Sequence, residues 1–403
     1  MSEVAARRVA VGDPAADAIV GARVLDFSLA DGRVVLCDAF ATLDVAFDVA
    51  TAPTLGVGDL VLVQLGGPPS PRVVRWLEHT VPARTQGEAD WLRFSMRGVG
   101  AGLQARAHAL RVVRDTFDAM GFLEVETPVA VPSPGLDPHL SAVATPDAFL
   151  ITSPEYQMKR LLSGGVYRCW QLARCFRRDE AGALHNPEFT MLEWYRAFAG
   201  IEAMLDDTER VVVAVATALG GAPTFTLPGR TVSLVRPFPR VTVREAFATY
   251  ADTSEADMLR LAVHDEDAFF HLLVTRIEPA LAAFGTPVFL CEYPTPHASL
   301  ARRLPGDERY AERFELYAAG VELCNGFGEL TDASEQRSRL LADQAVRRER
   351  GLPVYPIDER FVQALEHGLP PSAGNALGFD RLVALASGRL DIRDVQAFPA
   401  AFL

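Results

Sequence analysis

Five short runs of β-favouring residues, separated by turn signals, fill residues 18–79 and restrict this stretch to a small all-β module. The turn signals include the pairs Asp31-Gly32 and Gly66-Gly67. Five short strands within about sixty residues are typical of a small closed barrel. The predicted strands are Ala18–Phe27, Arg33–Cys37, Thr42–Phe47, Asp59–Gln64 and Arg72–Trp76.

The charge of this module argues against a role in binding nucleic acid. Residues 1–90 contain 7 arginines and 12 acidic residues, which gives them a net charge of −5. A surface that binds phosphates needs the opposite sign. The whole chain, with 52 acidic and 39 basic residues, is also acidic at −13, and this disfavours a non-specific nucleic-acid binder. We therefore predict a small OB-like β-domain over residues 1–82 that packs or pairs with protein.

The rest of the chain mixes strands and helices without the regular βαβ alternation of a parallel sheet. Apolar residues recur at helical spacing from Gln104 to Met120, and Gly121 is suited to a helix C-cap. A strand from Phe122 to Thr127 then ends at Pro128. The pattern predicts an α+β fold with an antiparallel sheet. The predicted organisation is a β-domain over residues 1–82, a linker over 83–94 and an α+β domain over 95–403.

Segment lengths and cysteine spacing exclude several other classes of protein. The longest apolar stretch, Val211–Leu219, is too short to cross a bilayer. Residues 1–11 contain arginines but lack the apolar run of a signal peptide. No CxxC pair occurs, so neither a disulfide framework nor a zinc site is indicated. We predict a soluble, cytoplasmic protein with reduced thiols. Its cysteines are Cys37, Cys169, Cys175, Cys291 and Cys324.

The most polar stretch of the chain is RCFRRDEAGALHNPEFTMLEWY, residues 174–195. We expect two strands joined by a loop over residues 179–184. Arginine and histidine can neutralise a triphosphate, and an aromatic ring can stack on a purine. The stretch taken alone fits a nucleotide site and a charged surface hairpin about equally, since short motifs mislead. The expected strand residues are Arg177, Arg178, His185, Asn186, Phe189 and Glu193.

A second candidate stretch is FELYAAGVELCNGFGELT, residues 314–331. Ala319 and Gly320 can form a hairpin turn, which would place Glu315 and Glu322 on facing strands. Paired carboxylates suit Mg²⁺, which binds few protein oxygens together with phosphate oxygens. The alternative is a solvated edge strand. It fits less well, because the glutamates alternate with apolar residues rather than with polar ones.

Two shorter motifs are weak when they are taken alone. AGNALGFDRL, residues 373–382, has glycines at 374 and 378 that allow a backbone to approach a ligand closely, and Arg381 lies in a following helix. SPEYQMKRLL, residues 153–162, has the pattern of a capped helix start. It contains Lys159, the one lysine among the 39 basic residues. That bias is consistent with genome composition, and it marks Lys159 as a lysine that arginine does not replace.

Together these segments resemble the class II aminoacyl-tRNA synthetases. Residues 122–128, after a long helix, look like motif 1 of that family. Residues 176–179 with 185–189 look like motif 2, and residues 374–381 like motif 3. SPEYQMKRLL, HNPEFTMLEWY and NGFGEL narrow the resemblance to the lysyl-tRNA synthetase subclass. Within it, the short paralogues that ligate lysine or (R)-β-lysine to elongation factor P are the most similar. The resemblance runs from about residue 95 to the C-terminus.

The resemblance implies roles for individual residues. Arg177 matches an arginine that bridges the substrate carboxylate and the ATP α-phosphate, and Arg381 matches one on the γ-phosphate, so both are the expected catalytic residues. Glu315 and Glu322 match the Mg²⁺-binding acids. The ATP-binding set is Arg177, Arg178, Asp179, His185, Asn186, the adenine-stacking Phe189, Glu322, Leu323, Gly378 and Arg381. The substrate-binding set is Ser153, Pro154 and Glu155 at one amine, Glu193, Tyr195 and Glu329 at the distal ammonium, and Ala376.

The implied activity is ATP-dependent ligation. The enzyme would activate lysine or (R)-β-lysine as the adenylate, with Mg²⁺, and transfer it to a lysine side chain of elongation factor P. A homodimer formed through motif 1 is also implied. Two alternatives remain open: a compact lysyl-tRNA synthetase, and a non-catalytic synthetase-like regulator. The acidic β-domain, and Ala376 where tRNA-charging relatives usually have glycine, favour the ligase. The regulator is disfavoured because the matched catalytic and metal positions are all present.

Three features depart from the pattern of the family. Asp179 stands where a glutamate is usual, which shortens the reach of its carboxylate. Gly328 replaces the larger residue often found between phenylalanine and glutamate in that motif. The short paralogues usually lack an N-terminal barrel, and the acidic barrel predicted here keeps a tRNA role open.

Overall fold

The structure is a computed structural model that describes residues 18–66, 71–82, 89–298 and 300–403. The chain forms two compact units, Met1–Gln104 and Ala105–Leu403. The predicted linker over residues 83–94 is helical from Asp90 onward, and its residues 83–88 lie outside the described residues. Residues 1–11, for which the sequence predicts no signal peptide, also lie outside the described residues. The boundaries at residues 82 and 95 therefore stay a prediction.

The N-terminal unit contains the closed five-stranded barrel that the sequence predicts, with strand order β1-β2-β3-β5-β4. Alternate residues of the first four strands are buried, and Val24, Val34, Val45 and Val63 are fully buried in the barrel core. Gly32, at φ +61, forms the first turn, where a Cβ atom would lie 2.8 Å from the Phe47 carbonyl oxygen. The strands are β1 (Ile19–Ser28), β2 (Arg33–Cys37), β3 (Thr42–Phe47), β4 (Leu60–Gly66) and β5 (Arg72–Thr80).

The C-terminal unit is built on a nine-stranded, mostly antiparallel sheet, which confirms the α+β class. Its strand order is β13-β14-β16-β17-β18-β10-β9-β6, with β15 paired to β16, and only the pairs β13–β14 and β6–β9 are parallel. Two small two-stranded sheets, β7–β8 and β11–β12, complete the strands. They are β6 (Leu123–Glu124), β7 (Ala130–Val131), β8 (Phe149–Leu150), β9 (Arg168–Phe176), β10 (Glu188–Ala197), β11 (Thr224–Leu227), β12 (Arg230–Ser233), β13 (Arg240–Thr242), β14 (Val288–Pro294), β15 (Arg303–Leu304), β16 (Asp307–Ala318), β17 (Val321–Gly328) and β18 (Ser372–Gly378).

Helices cover one face of this sheet. Apolar residues of α2, α4 and α11 form one core with Leu192 and Trp194 of β10. Because side chains alternate along a strand, Glu193 and Tyr195 point to the opposite face. The helices are α1 (Asp90–Met96), α2 (Val99–Ala119), α3 (Glu155–Ser163), α4 (Ile201–Gly220), α5 (Val243–Tyr250), α6 (Glu255–His264), α7 (Glu266–Leu272), α8 (Glu278–Ala282), α9 (Ala333–Glu349), α10 (Glu359–Glu366) and α11 (Phe379–Ala386). Short π or 3₁₀ helices span Leu273–Ile277, Thr295–His297, Ile392–Val395 and Ala400–Phe402.

The motif 1 segment differs in length from the prediction. The helix begins earlier than Gln104, at Val99, and Gly121 at φ +72 follows its end as expected. The strand predicted from Phe122 to Thr127 is only two residues long, Leu123–Glu124. It lies at the edge of the sheet beside β9 alone, and Pro128 lacks the N–H that a longer ladder needs.

Candidate active site

A cavity of about 1230 Å³ opens in the C-terminal unit, and most of the predicted site residues line it. Arg178, Asp179 and Pro154 do not line it, although the prediction placed them at ATP or substrate. Glu193, Tyr195 and Glu329 are buried and also do not line the cavity itself. The predicted residues in its wall are Ser153, Glu155, Arg177, His185, Asn186, Phe189, Glu315, Glu322, Leu323, Ala376, Gly378 and Arg381.

The motif 2 arginines lie in a loop, not on a strand as predicted. Strand β9 ends at Phe176, and β10 begins at Glu188, so His185 and Asn186 also precede their strand. Asp179 at φ +67 adopts a left-handed conformation that a strand cannot contain. The Arg177 backbone N–H still donates to the Pro187 carbonyl, at 2.9 Å. The loop is therefore held at its base, and Arg177 at its start lines the cavity.

Arg177 is held at the cavity wall by an aromatic ring and a carboxylate. Its guanidinium carbon lies 5.0 Å from the centre of the Phe189 ring, and its Nη1 lies 3.7 Å from Glu180 Oε1. A cation over a ring face is attracted by the electrons of the ring. The guanidinium is thereby oriented before any substrate arrives.

Arg381 is positioned by three acceptors. It donates to the carbonyls of Leu184 (3.2 Å) and Glu322 (2.7 Å), and its Nη2 lies 2.7 Å from His185 Nε2. Because arginine only donates, the histidine nitrogen must accept. Burial, and then the neighbouring Arg381 charge, lower the pKa of His185, so this imidazole is neutral at pH 7. Arg381 is thus a fixed cation whose orientation depends on an uncharged partner.

Asn186, an expected ATP contact, uses its side-chain amide inside the protein. Its Nδ2 donates to the Glu188 carbonyl at 2.6 Å, and its Oδ1 accepts from the backbone N–H of Ala400 at 2.9 Å. The amide thus links the start of β10 to the C-terminal segment. A direct contact of this amide with ATP stays a prediction.

A buried carboxyl group, Glu193, marks the inner end of the site. Its two oxygens accept hydrogen bonds from Ser153 Oγ (2.9 Å) and from the Tyr195 hydroxyl (2.7 Å). Burial, and then the nearby charge of Glu155, raise the pKa of Glu193 to about 8. A carboxylate in such a place is destabilised unless a cation approaches it.

A second buried carboxylate, Glu329, lies beside the single lysine of the chain. Lys159 Nζ is 2.6 Å from Glu329 Oε2 and 2.6 Å from Glu155 Oε1. Glu329 is completely buried, and its other oxygen, Oε1, has no hydrogen-bond partner among the described residues. Burial raises the pKa of Glu329 to about 7, despite the opposing effect of Lys159. The pocket therefore has unused capacity to accept hydrogen bonds from a cation.

Gly374 has a different function from the ligand approach that the sequence suggested. A Cβ atom at this position would lie 2.3 Å from the Tyr195 ring and 2.7 Å from Glu329 Oε1. The missing side chain thus makes room for two of the predicted substrate-binding residues. Gly378, by contrast, does line the cavity, where only the Arg381 side chain would approach a Cβ atom, at 3.3 Å.

Comparison with known proteins was consistent with this geometry. Residues 83–401 match the family model described as tRNA synthetases class II (D, K and N). The chain belongs to this class II synthetase family. The relatives named "Elongation factor P--(R)-beta-lysine ligase" are 38% identical over 317 residues in Hamiltonella defensa, 40% over 326 in Proteus mirabilis and 39% over 308 in Vibrio cholerae. Each match covers 74% of this chain and 94–95% of the relative. The resemblance that the sequence motifs indicated is confirmed.

The two acids that the class II resemblance assigns to Mg²⁺ differ in their surroundings. Glu322 lies opposite Tyr317 across the β16–β17 hairpin, on the same face as Glu315, which confirms the facing strands. Its side chain is 41% exposed to the cavity. Glu315 is instead occupied, because it accepts from Arg313 (2.6 Å), Tyr293 (2.6 Å) and Tyr317 (2.7 Å). Among the described residues no three His, Cys, Asp or Glu side chains cluster as a metal site. A metal held by Glu322 and phosphate oxygens fits this arrangement.

Two supporting groups of this class II site were missed by the sequence reasoning. Buried Asp380 accepts from Arg106, from the Thr190 backbone N–H (2.8 Å) and from Gln396 (3.1 Å), and so joins α11 to α2 and β10. Its distance in sequence from Arg106 left no local signal. The Arg313 and Tyr317 contacts to Glu315 did have a signal, because residues two apart on a strand share a face.

No helix within the described residues is long and apolar enough to cross a membrane. The five cysteines are unpaired in the structure, and all but Cys291 are buried.

Proposed function

We propose that this chain is an ATP-dependent ligase that activates lysine or (R)-β-lysine as the aminoacyl-adenylate and transfers it to a lysine side chain of elongation factor P. The observation that carries the proposal is the buried pair Glu193 and Glu329, because carboxyl groups whose pKa values are raised by burial suit an approaching ammonium group. The names of the relatives support the same acceptor.

In the first step, a carboxylate oxygen of the amino acid attacks the α-phosphorus of ATP, and pyrophosphate leaves. Arg177 stabilises negative charge that develops at the α-phosphate, and Arg381 holds the γ-phosphate. Both guanidiniums are already oriented, by Phe189 and by His185, so little reorganisation is needed when charge develops. No side chain forms a covalent bond to the substrate.

In the second step, the neutral amine of the acceptor lysine attacks the carbonyl carbon of the adenylate. An amide bond forms, the bond to the phosphate oxygen breaks, AMP leaves and the amine loses a proton. Mg²⁺ held at Glu322 would neutralise phosphate charge in the activation step.

The amino acid is held at its ammonium groups by the inner end of the site. Glu193, Tyr195 and Glu329 would surround the distal ammonium, while Ser153 and Glu155 would contact the other amine. Ser153 Oγ connects Glu193 to Glu155, since it donates to the Glu193 carboxylate and accepts from the Glu155 backbone N–H at 3.1 Å. A buried ammonium and a buried carboxylate are each costly unless an oppositely charged or hydrogen-bonding partner contacts them.

A transfer assay with radiolabelled amino acid tests the proposal directly. Purified elongation factor P and bulk tRNA are offered side by side, each with lysine or (R)-β-lysine and ATP. We expect label on the protein. Label on tRNA alone would support the compact lysyl-tRNA synthetase instead.

The affinity for lysine is expected to rise with pH between about 6 and 8.5. In the free pocket Glu193 and Glu329 have pKa values near 8 and 7, so they are partly protonated at neutral pH. Binding an ammonium requires their ionised forms, so protons are released and the dissociation constant falls by up to about tenfold per pH unit for each proton. Calorimetry in two buffers of different ionisation enthalpy measures the release. A binding constant that is independent of pH, with no proton release, would contradict this assignment.

Ala376 is expected to tune the choice between α-lysine and β-lysine. It lines the cavity, and it pairs with Glu193 on one neighbouring strand and Asn325 on the other. Ala376→Gly removes one methyl group without changing charge, so it should shift the ratio of the two ATP–pyrophosphate exchange rates by about tenfold. The KM for ATP serves as the control and should not change. An unchanged ratio of rates would remove this support for the elongation-factor ligase.

We also propose that the protein is a homodimer that pairs through the motif 1 segment, α2 and β6. A two-fold contact of this kind uses the same patch on both subunits. Light scattering at micromolar concentration should give about twice the 43.8 kDa chain mass. A monomer would contradict the proposal.

A further inference from the structure

Three carboxylates and one ammonium meet at the inner end of the candidate site. Lys159 Nζ is in contact with Glu155 and Glu329, each at 2.6 Å, and Ser153 Oγ links Glu193 to the backbone of Glu155. The Lys159 side chain is 1% exposed, and its Nζ lies 6.0 Å from the centre of the Phe361 ring. Its two ion pairs outweigh the lowering effect of burial, and the pKa of Lys159 is raised above its usual value.

This is the one position in 403 residues where a lysine stands, while the other 38 basic residues are arginines. The geometry provides a reason. A compact ammonium can touch two carboxylates in a closed space, whereas a planar guanidinium is larger and directs its donors in a fixed fork. Lysine therefore stands at the position where a compact ammonium fits between two carboxylates and a guanidinium does not.

The net formal charge of these four side chains indicates how many ammonium groups a substrate should bring. With Glu155, Glu193 and Glu329 ionised and Lys159 protonated, the pocket has a charge of −2, which two ammonium groups would neutralise. Without Lys159 it would be −3, which is costly for buried carboxylates. We propose that Lys159 is a positioning residue and an internal cation of the pocket. Its ammonium holds Glu155 and Glu329 in place, and its positive charge leaves the net charge that an amino acid with two ammonium groups neutralises.

This inference rests on the proposed function, because the ammonium groups are those of lysine or β-lysine. A purely structural role is the competing explanation, since Glu155 and Lys159 are an i, i+4 pair at the start of α3. Such a pair on a helix surface contributes little, and its loss would lower stability without changing how the substrate amine is held. Charge and packing can be separated by chemical rescue.

Lys159→Ala is assayed for lysine-dependent ATP–pyrophosphate exchange with and without n-propylammonium chloride. We expect the variant to lose at least about a hundredfold in kcat/KM for lysine, with the KM for ATP within about threefold of wild type. The ammonium should restore at least about tenfold, whereas n-propanol and equal KCl should not. Lys159→Met, which keeps the length and removes the charge, is the second variant if the alanine variant does not fold. An unchanged KM for lysine, or equal rescue by n-propanol, would overturn the proposal.

The single lysine also provides a readout that needs no activity. Growth on lysine labelled with ¹⁵N at Nζ places one side-chain label in the protein. We expect one charged ammonium resonance up to pH 9, which shifts when unlabelled lysine is added. A neutral amine at pH 9 would overturn the proposal. If the wild-type protein catalyses ATP–pyrophosphate exchange with neither lysine nor β-lysine, the proposed function fails. The NMR result still decides whether Lys159 is the internal cation.

Discussion

Arg177→Ala is expected to reduce lysine-dependent ATP–pyrophosphate exchange by about a hundred- to a thousandfold, since removing one oriented electrostatic group commonly costs this much. The guanidinium lies in the cavity wall over Phe189, where it can meet the α-phosphate and the attacking carboxylate. Alanine leaves that negative charge uncompensated. The measurement is the exchange rate at saturating lysine and ATP.

The matched control is Arg174→Ala, three residues earlier and on β9. Arg174 is half-exposed, lies 3.6 Å from Glu188 and does not line the cavity. It should keep exchange within about twofold, because an exposed ion pair of this kind contributes little. If Arg177→Ala retained exchange within tenfold of wild type while circular dichroism showed a native fold, the assignment of Arg177 to the α-phosphate would be wrong.

Glu193→Gln is expected to have two opposite effects. It should lower kcat/KM for lysine by about a hundredfold or more, because losing a carboxylate next to a buried ammonium costs about 3 kcal/mol. It should also stabilise the ligand-free protein at alkaline pH. Glutamine has nearly the same shape and can keep hydrogen bonds to Ser153 and Tyr195, but it carries no charge to be buried.

The sign of the stability effect follows from the raised pKa. The folded protein holds the Glu193 proton up to about pH 8, whereas the unfolded chain releases it near the usual value of about 4.5. The contribution of this group to the wild-type stability is therefore complete below pH 4.5 and is lost as pH rises to 8. At pH 4.5 the Glu193→Gln variant should unfold at about the same denaturant concentration as wild type. At pH 8.5 it should unfold at a higher concentration, with a free energy of unfolding that is larger by about 2–4 kcal/mol.

Urea unfolding at the two pH values measures this difference. Adding lysine should abolish the advantage of the variant, because the ammonium stabilises the wild-type carboxylate and not the amide. Equal stabilities at pH 8.5 would mean that the pKa of Glu193 is not raised, and would remove the physical basis of the ammonium site.

Local sequence patterns were sufficient where the signal is itself local. The β-favouring runs and turn signals in residues 18–79 predicted the barrel strands to within a few residues, because both are properties of neighbouring residues. The Ala319-Gly320 turn predicted the β16–β17 hairpin, and both residues have the positive φ values that such a turn needs. The motifs of the class II family indicated twelve residues of the cavity wall, which are most of the predicted site residues but a minority of the lining.

Tertiary structure decided how those residues work, because the decisive contacts join segments that are far apart in sequence. Lys159 on α3 lies against Glu329 after β17, and Gly374 on β18 makes room for Tyr195 on β10. Glu193 has a raised pKa only because the surrounding elements remove water from it. The sequence by itself determined the two kinds of fold, the family and the candidate residues. Only burial and long-range packing decided which carboxylates are free to receive an ammonium group and which are already neutralised.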